Sequence, residues 1–222
     1  MDCCYMKKIF STFVLFASLL AFAGCGGSIP FSELHDTLKN NVETKGPYKV
    51  GDYYNENGKR GVVFYIEASG KHGKIVSLTE SGNALQWSSN EIEQTKLIGA
   101  NSETDGAYNM SVVKQIPNWQ SKYPAFKWCA DLGEGWYLPA IEELKLFTIN
   151  DTIRNAVNRT LADKDGAGIQ DIGTACWYWS STEKNYLHGS THFSAWRISM
   201  SNGSDDCAYK YLNYYVRAVS AF

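Results

Sequence analysis

The sequence predicts an α+β domain, a mixed and twisted antiparallel sheet with flanking helices and long loops. Three observations carry that expectation. Apolar runs and alternating patterns typical of strands occupy both ends of the stretch from residue 48 to 221, whereas helix-period segments fill its middle. Strands at opposite ends of one chain share a core only by pairing non-locally, so the C-terminal strands are expected beside the first ones, with the ends of the domain close together. The composition is that of an ordinary globular protein. Of 222 residues, 44% are hydrophobic and 20% charged, which excludes a disordered or collagen-like chain.

The first 24 residues read as a signal peptide. Lys7 and Lys8 supply a positive start, and Ile9–Ala23 is an apolar run too short to span a bilayer comfortably. Met6 opens a more typical signal than Met1, which would make Cys3 and Cys4 part of an over-long start. The run ends in Leu20-Ala21-Phe22-Ala23-Gly24-Cys25, which resembles a bacterial lipobox and makes Cys25 the expected lipidation site. Phe22 departs from the aliphatic residue usual three positions before the cysteine. Residues 25–46, starting Cys25-Gly26-Gly27-Ser28, are expected to be a lipidated cysteine and flexible tether, with 47–222 as the folded domain.

From Tyr48 the elements follow one another. Strands are expected at Tyr48–Tyr54, Gly61–Ala68 and Lys74–Glu80. The first turn falls at Asn57-Gly58, whose residues tolerate the positive φ of a tight hairpin, and the second around Gly70–Gly73. Val62-Val63-Phe64-Tyr65-Ile66 has the continuous apolar character of a strand covered on both faces. Helices are expected at Tyr108–Gln115, stopped by Pro117; at Ala125–Leu132, between Pro124 and Gly133; at Ala140–Phe147, opened by Pro139; and at Thr152–Leu161, capped by Asp151. The chain then returns to strands at Cys176–Thr182, Ala195–Met200 and Tyr214–Ala221. Between these lie two stretches, 185–194 and 201–213, made largely of Asn, Ser, Tyr, His and Asp.

Few residues carry a pattern for chemistry. Glu142 and Glu143 are adjacent, so they suit a helix N-terminus rather than a paired acid and base. Asp163, Asp165 and Asp171 fall at the spacing of a calcium loop with Gly168 at the turn, but Thr174 stands where a bidentate acid is needed, and a solvated loop is the better reading. His188 and His192 are four apart, yet Gly189-Ser190-Thr191 between them argues for a loop and not a metal-binding helix face. No Cys-x-x-Cys, Gly-x-Ser-x-Gly, His-Glu-x-x-His or P-loop pattern occurs. We therefore expect no catalytic residues, no metal and no cofactor. The formal net charge of −2 offers no general attraction for nucleic acid. If Cys25 carries lipid, Cys129, Cys176 and Cys207 can form at most one disulfide.

The outlier is aromatic content, 14%, with 14 Tyr and 7 Trp. Rigid tyrosines among small polar residues are the chemistry of adaptable binding surfaces, and the last 46 residues concentrate it. The surface expected to bind comprises Asn185, Tyr186, His188, Ser190, His192, Ser194, Arg197, Ser199, Ser201, Ser204, Asp205, Asp206, Tyr209 and Tyr211. Alternation along Ala195–Met200 sets Arg197 and Ser199 on one strand face and Trp196 and Ile198 on the other, with Trp196 and Trp179 expected as core anchors.

Gly135-Trp136-Tyr137-Leu138-Pro139 with Glu142-Glu143-Leu144, Trp179-Ser180-Ser181-Thr182-Glu183, Ala195-Trp196, Asn202-Gly203 and Val216-Arg217 occur in that order. Together they resemble the bacterial C-type-lectin-like domains related to formylglycine-generating enzymes and to the C-terminal domain of collagen-like adhesins, over about residues 47–222. The polar-aromatic tail further resembles the variable proteins of diversity-generating retroelements, ligand-binding proteins of which some are surface lipoproteins. The resemblance implies a C-type-lectin-like fold, an unidentified protein or glycan ligand, and a lipid-anchored place in a bacterial cell envelope, at the outer membrane or on the cell surface. Two departures limit it. The Glu-Pro-Asn and Trp-Asn-Asp signatures of calcium-dependent sugar binding are missing, and Cys176 and Cys207 lie 31 positions apart, unlike the closely spaced copper-binding pair of the enzymes. An invariant structural or fimbria-associated envelope lipoprotein is the alternative function.

Overall fold

The computed structural model describes residues 47–89, 95–171, 173–184 and 194–222. Its strands, in chain order, are β1 (Tyr53–Glu56), β2 (Lys59–Ile66), β3 (Gly73–Glu80), β4 (Leu85–Gln86), β5 (Trp136–Tyr137), β6 (Trp177–Lys184), β7 (Ser194–Ser199), β8 (Asp205–Tyr209), β9 (Asn213–Tyr214) and β10 (Arg217–Ala221). The helices are α1 (Gly106–Lys114), α2 (Trp119–Lys122), α3 (Pro124–Asp131), α4 (Ile141–Thr148) and α5 (Asp151–Asp163). The α+β class expected from the sequence is the one observed.

The main sheet is antiparallel throughout, in the order β1-β2-β3-β10-β5. Asn57 (φ 53°) and Gly58 (φ 74°) both take the left-handed conformation a two-residue hairpin requires, and Glu56 pairs with Lys59 across it. The first strand starts at Tyr53 rather than Tyr48. Asp52 accepts a hydrogen bond from the Lys49 backbone N–H (2.8 Å), and Gly51 turns at φ 93°, so 49–52 close into a local turn first. Val62, Val63 and Phe64 are all buried, as the unbroken apolar run requires.

The last strand lies inside this sheet, not at its edge. Val219 pairs with Val76 on one side and Tyr137 on the other, and the Tyr48 and Tyr54 rings pack against Phe222 (5.3 and 4.5 Å between centroids). The expected segment Tyr214–Ala221 is split between two sheets. At Val216 the backbone N–H donates to Ser81 Oγ and the carbonyl accepts from Ser81 N–H, both 2.9 Å, which turns the chain from β9 into β10.

The helices cover this sheet with faces set by their spacing. Asp105 accepts from the Tyr108 N–H (2.9 Å) and starts α1, whose Gly106, Asn109, Met110 and Val113 face inward. Pro124 occupies the first turn of α3, where its missing N–H costs nothing, and Phe126 and Cys129 enter the core. For α5 the cap is Asn150, which accepts from Ile153 N–H (3.2 Å). Asp151, expected in that role, is the first helical residue and pairs instead with Arg154 (2.7 Å). In the loop 163–171 the carbonyls of Ala167 and Gly168 accept from the Arg217 guanidinium (2.9 and 3.2 Å).

At α4, Ala140 has no side-chain acceptor for a cap. Glu143 reaches back to the Ala140 N–H (2.8 Å) and also accepts from the Gly106 N–H (3.1 Å), so one buried carboxylate starts α4 and ties it to α1. The approach is so close that a Cβ on Gly106 would lie 2.5 Å from the Leu138 carbonyl oxygen and 2.7 Å from the Ala140 nitrogen. Gly106→Ala is therefore expected to destabilise the domain by about 1–3 kcal/mol, read as a lowered denaturation midpoint at unchanged slope.

Candidate binding surface

The polar-aromatic tail is mounted on a second sheet, β6-β7-β8, antiparallel throughout. Strand β6 is buried from Tyr178 through Glu183. Trp179 is fully buried and its indole N–H donates to the Leu85 carbonyl (2.9 Å). Tyr178 is buried beside it, and its hydroxyl donates to Glu80 (2.6 Å). Burial pushes both the Cys129 and Cys176 thiols up, so they stay protonated at neutral pH and are poor nucleophiles. Among the described residues, no disulfide joins Cys129, Cys176 and Cys207 to one another.

The β8 strand was unexpected, since 201–213 reads as polar loop. Asp205 and Asp206 hide the signal because an edge strand accepts charge, and Ala208 is its single buried residue. Gly203 (φ 74°) and bonds among Ser199, Ser201, Asn202 and Ser204 form the β7–β8 turn.

Register assigns the faces. Trp179, Arg197 and Asp206 are cross-strand neighbours on one side. There the Arg197 guanidinium lies 3.5 Å from the Trp177 ring centroid and 4.6 Å from that of Tyr214, and it donates to Asp206 (3.0 Å). The other side carries Trp196 and Ile198. Ile198 is buried, whereas Trp196, expected as a core anchor, is only partly buried: it packs against the margin of the core, with the Lys184 ammonium 3.9 Å from its ring centroid. Asp205 reaches α4 and pairs with Lys145 (2.6 Å); that hydrogen bond holds its carboxyl below the usual range despite the opposing pull of burial.

The expected binding residues divide accordingly. Ser201, Ser204, Asp205, Asp206, Tyr209 and Tyr211 are exposed, and Arg197 is half-buried in its aromatic sandwich. Two expectations need correction. Ser194 is covered because it sits in the middle strand between Lys184 and Tyr209, and Ser199 is buried because its hydroxyl bonds Ser201 within the turn (2.7 Å). Neither faces solvent. Asn185, Tyr186, His188, Ser190 and His192 lie outside the described residues, as does Cys25.

Sequence reasoning passed over Lys210 and Glu183, which support this surface. Lys210 is completely buried amid exposed neighbours, and its ammonium pairs with Glu183 and donates to the Lys96 carbonyl (3.0 Å). Glu183 accepts in addition from the N–H groups of Ile98, Gly99 and Ala100 (2.9, 2.9 and 3.2 Å). The one sequence signal was the Glu183 at the end of the Trp179–Glu183 motif; a lysine in a polar tail carries none. Among the described residues, no group of His, Cys, Asp or Glu is placed to hold a metal ion.

A family model described as the Lcl C-terminal domain matches residues 77–220, well over half of the chain and all of the second sheet. No curated protein matches the chain.

Proposed function

We propose, from the fact that this chain belongs to the Lcl C-terminal domain family over residues 77–220, that the protein is a membrane-anchored binding lipoprotein. Its C-type-lectin-like scaffold displays the polar-aromatic tail to a protein or glycan ligand. One observation carries the reading: on β8 and the turn that follows it, Asp205, Asp206, Tyr209 and Tyr211 are exposed while Ala208 and Lys210 between them are buried. Such a surface can change its outward residues at a cost within about 0.5 kcal/mol each, which suits diversification of the tail. The role is binding, with no catalytic step.

Anchoring follows from Cys25. A thioether-linked diacyl group together with an amide-linked chain supplies the two hydrophobic signals that stable attachment needs. Labelled fatty acid is expected in the wild type and not in Cys25→Ala; equal labelling of the two would refute the anchor. For binding, glycan and protein arrays are probed before and after pooled substitution of Asp206, Tyr209 and Tyr211, which should abolish the detected interactions while leaving the melting temperature nearly unchanged. Interactions that survive would favour the invariant structural lipoprotein. Diversification is tested in the surrounding DNA, where a near-copy of the final codons beside a reverse transcriptase gene is expected.

A further inference from the structure

Tyr209, Lys210 and Tyr211 are consecutive, yet their side chains have opposite fates. Tyr209 and Tyr211 are 42% and 43% exposed, with rings nearly parallel (14° between planes, centroids 5.4 Å apart). Lys210 between them is 0% exposed. Its ammonium meets Glu183, the Lys96 carbonyl and the face of Trp87, 4.4 Å from the ring centroid. The backbone at this point is fastened as well: the Lys210 carbonyl accepts from Ser88 N–H (3.1 Å), the Tyr211 carbonyl from Gln86 Nε2 (2.8 Å), and Leu212 N–H closes a turn onto the Tyr209 carbonyl (2.9 Å).

A lysine is driven into a protein interior only when its charge is fully met there, and here a carboxylate, a carbonyl and an indole face meet it. The Glu183 carboxylate is itself fixed by three backbone N–H groups from 98–100, so it is a rigid target and not a second mobile chain. With the middle residue of three drawn inward to a fixed point, its two neighbours must project outward on the same side and meet as a pair.

We infer that Lys210 is the positioning residue of the binding surface: its buried pair with Glu183 aims Tyr209 and Tyr211 outward as one aromatic unit, and it stays fixed while those neighbours vary. This rests on the reading of the tail as a ligand-binding surface. Lys210 touches no ligand; it acts through the two tyrosines. The variable positions of the tail therefore exclude 210, although nothing in the local composition sets it apart.

The test randomises residues 209, 210 and 211 in the full chain, displayed on its own cDNA. One portion of the library is selected only for resistance to protease, and another for capture by immobilised lysozyme. Protease survivors are expected to retain Lys at 210 about tenfold above its input frequency, as loss of one partner of a buried ion pair demands, and to vary freely at 209 and 211. A lysozyme binder is then remade with Lys210→Met, and its affinity is measured per folded molecule. A fall of about tenfold or more is expected, because the tyrosines lose their aim even where the domain folds. Free exchange at 210 among protease survivors overturns the inference. So does unchanged affinity per folded molecule, which reduces Lys210 to a stabilising role. Recovery of no binder, with 209 and 211 freely variable, instead overturns the binding reading and the inference with it.

Discussion

Arg217→Ala is expected to destabilise the domain by about 3–5 kcal/mol, enough to unfold much of a protein of ordinary stability. The side chain is fully buried at the start of β10, with both terminal nitrogens hydrogen-bonded and Nε without a partner. Its guanidinium donates to the Ser77 carbonyl (3.1 Å), Glu80 (3.1 Å) and the carbonyls of Ala167 and Gly168 (2.9 and 3.2 Å). One residue thus joins β3, the loop after α5 and the last strand, three segments distant in sequence. Truncation strands three carbonyls and leaves the Glu80 carboxylate held by the Tyr178 hydroxyl. Arg217→Lys should recover only part of the loss, since a single ammonium cannot span acceptors that a planar fork reaches together. Denaturant titration of the three proteins checks the order: wild type most stable, then Lys, then Ala.

What the sequence made legible was local. Asn57-Gly58 carries its own hairpin chemistry, Pro124 its own helix start, and the Val62–Phe64 run its own burial, because each needs only neighbours along the chain. The non-local roles were not legible. Glu143 was correctly read as an acid at a helix start, but its partners Gly106 and Lys74 are 37 and 69 residues away in sequence. Glu183 and Lys210 are 27 apart and look like ordinary charged residues until the sheets bring them together. Strand β8 was missed for a related reason: an edge strand bearing Asp205 and Asp206 lacks the apolar alternation by which strands announce themselves. The incomplete burial of Trp196 was hidden for the same reason. Alternation told which strand face it occupies but not whether anything covers that face, and Lys184 covers it only in part.

Glu143 sets the second large effect, since Glu143→Ala is likewise expected to cost about 3–5 kcal/mol by leaving buried donors without their charge. Its carboxylate accepts from the N–H groups of Gly106 and Ala140, from the Tyr137 hydroxyl (3.0 Å) and from Lys74 (2.5 Å), so α1, α4, β5 and β3 converge on two oxygen atoms. Glu143→Gln should be nearly as damaging. An amide offers one acceptor oxygen in place of two, and its NH₂ group turns toward groups that are themselves donors. The same site predicts an alkaline limb. Burial, reinforced by the Glu143 charge, pushes the Tyr137 hydroxyl above its ordinary value, whereas in the unfolded chain it ionises near pH ~10. Above that pH the unfolded state binds fewer protons than the folded one, so stability falls as pH rises. Tyr137→Phe should therefore be less stable than wild type at neutral pH, where the hydrogen bond to Glu143 is lost, and should lose less stability between pH 9 and 11. Thermal melts across that range decide it: parallel alkaline slopes in the two proteins would mean that Tyr137 is not the group that titrates.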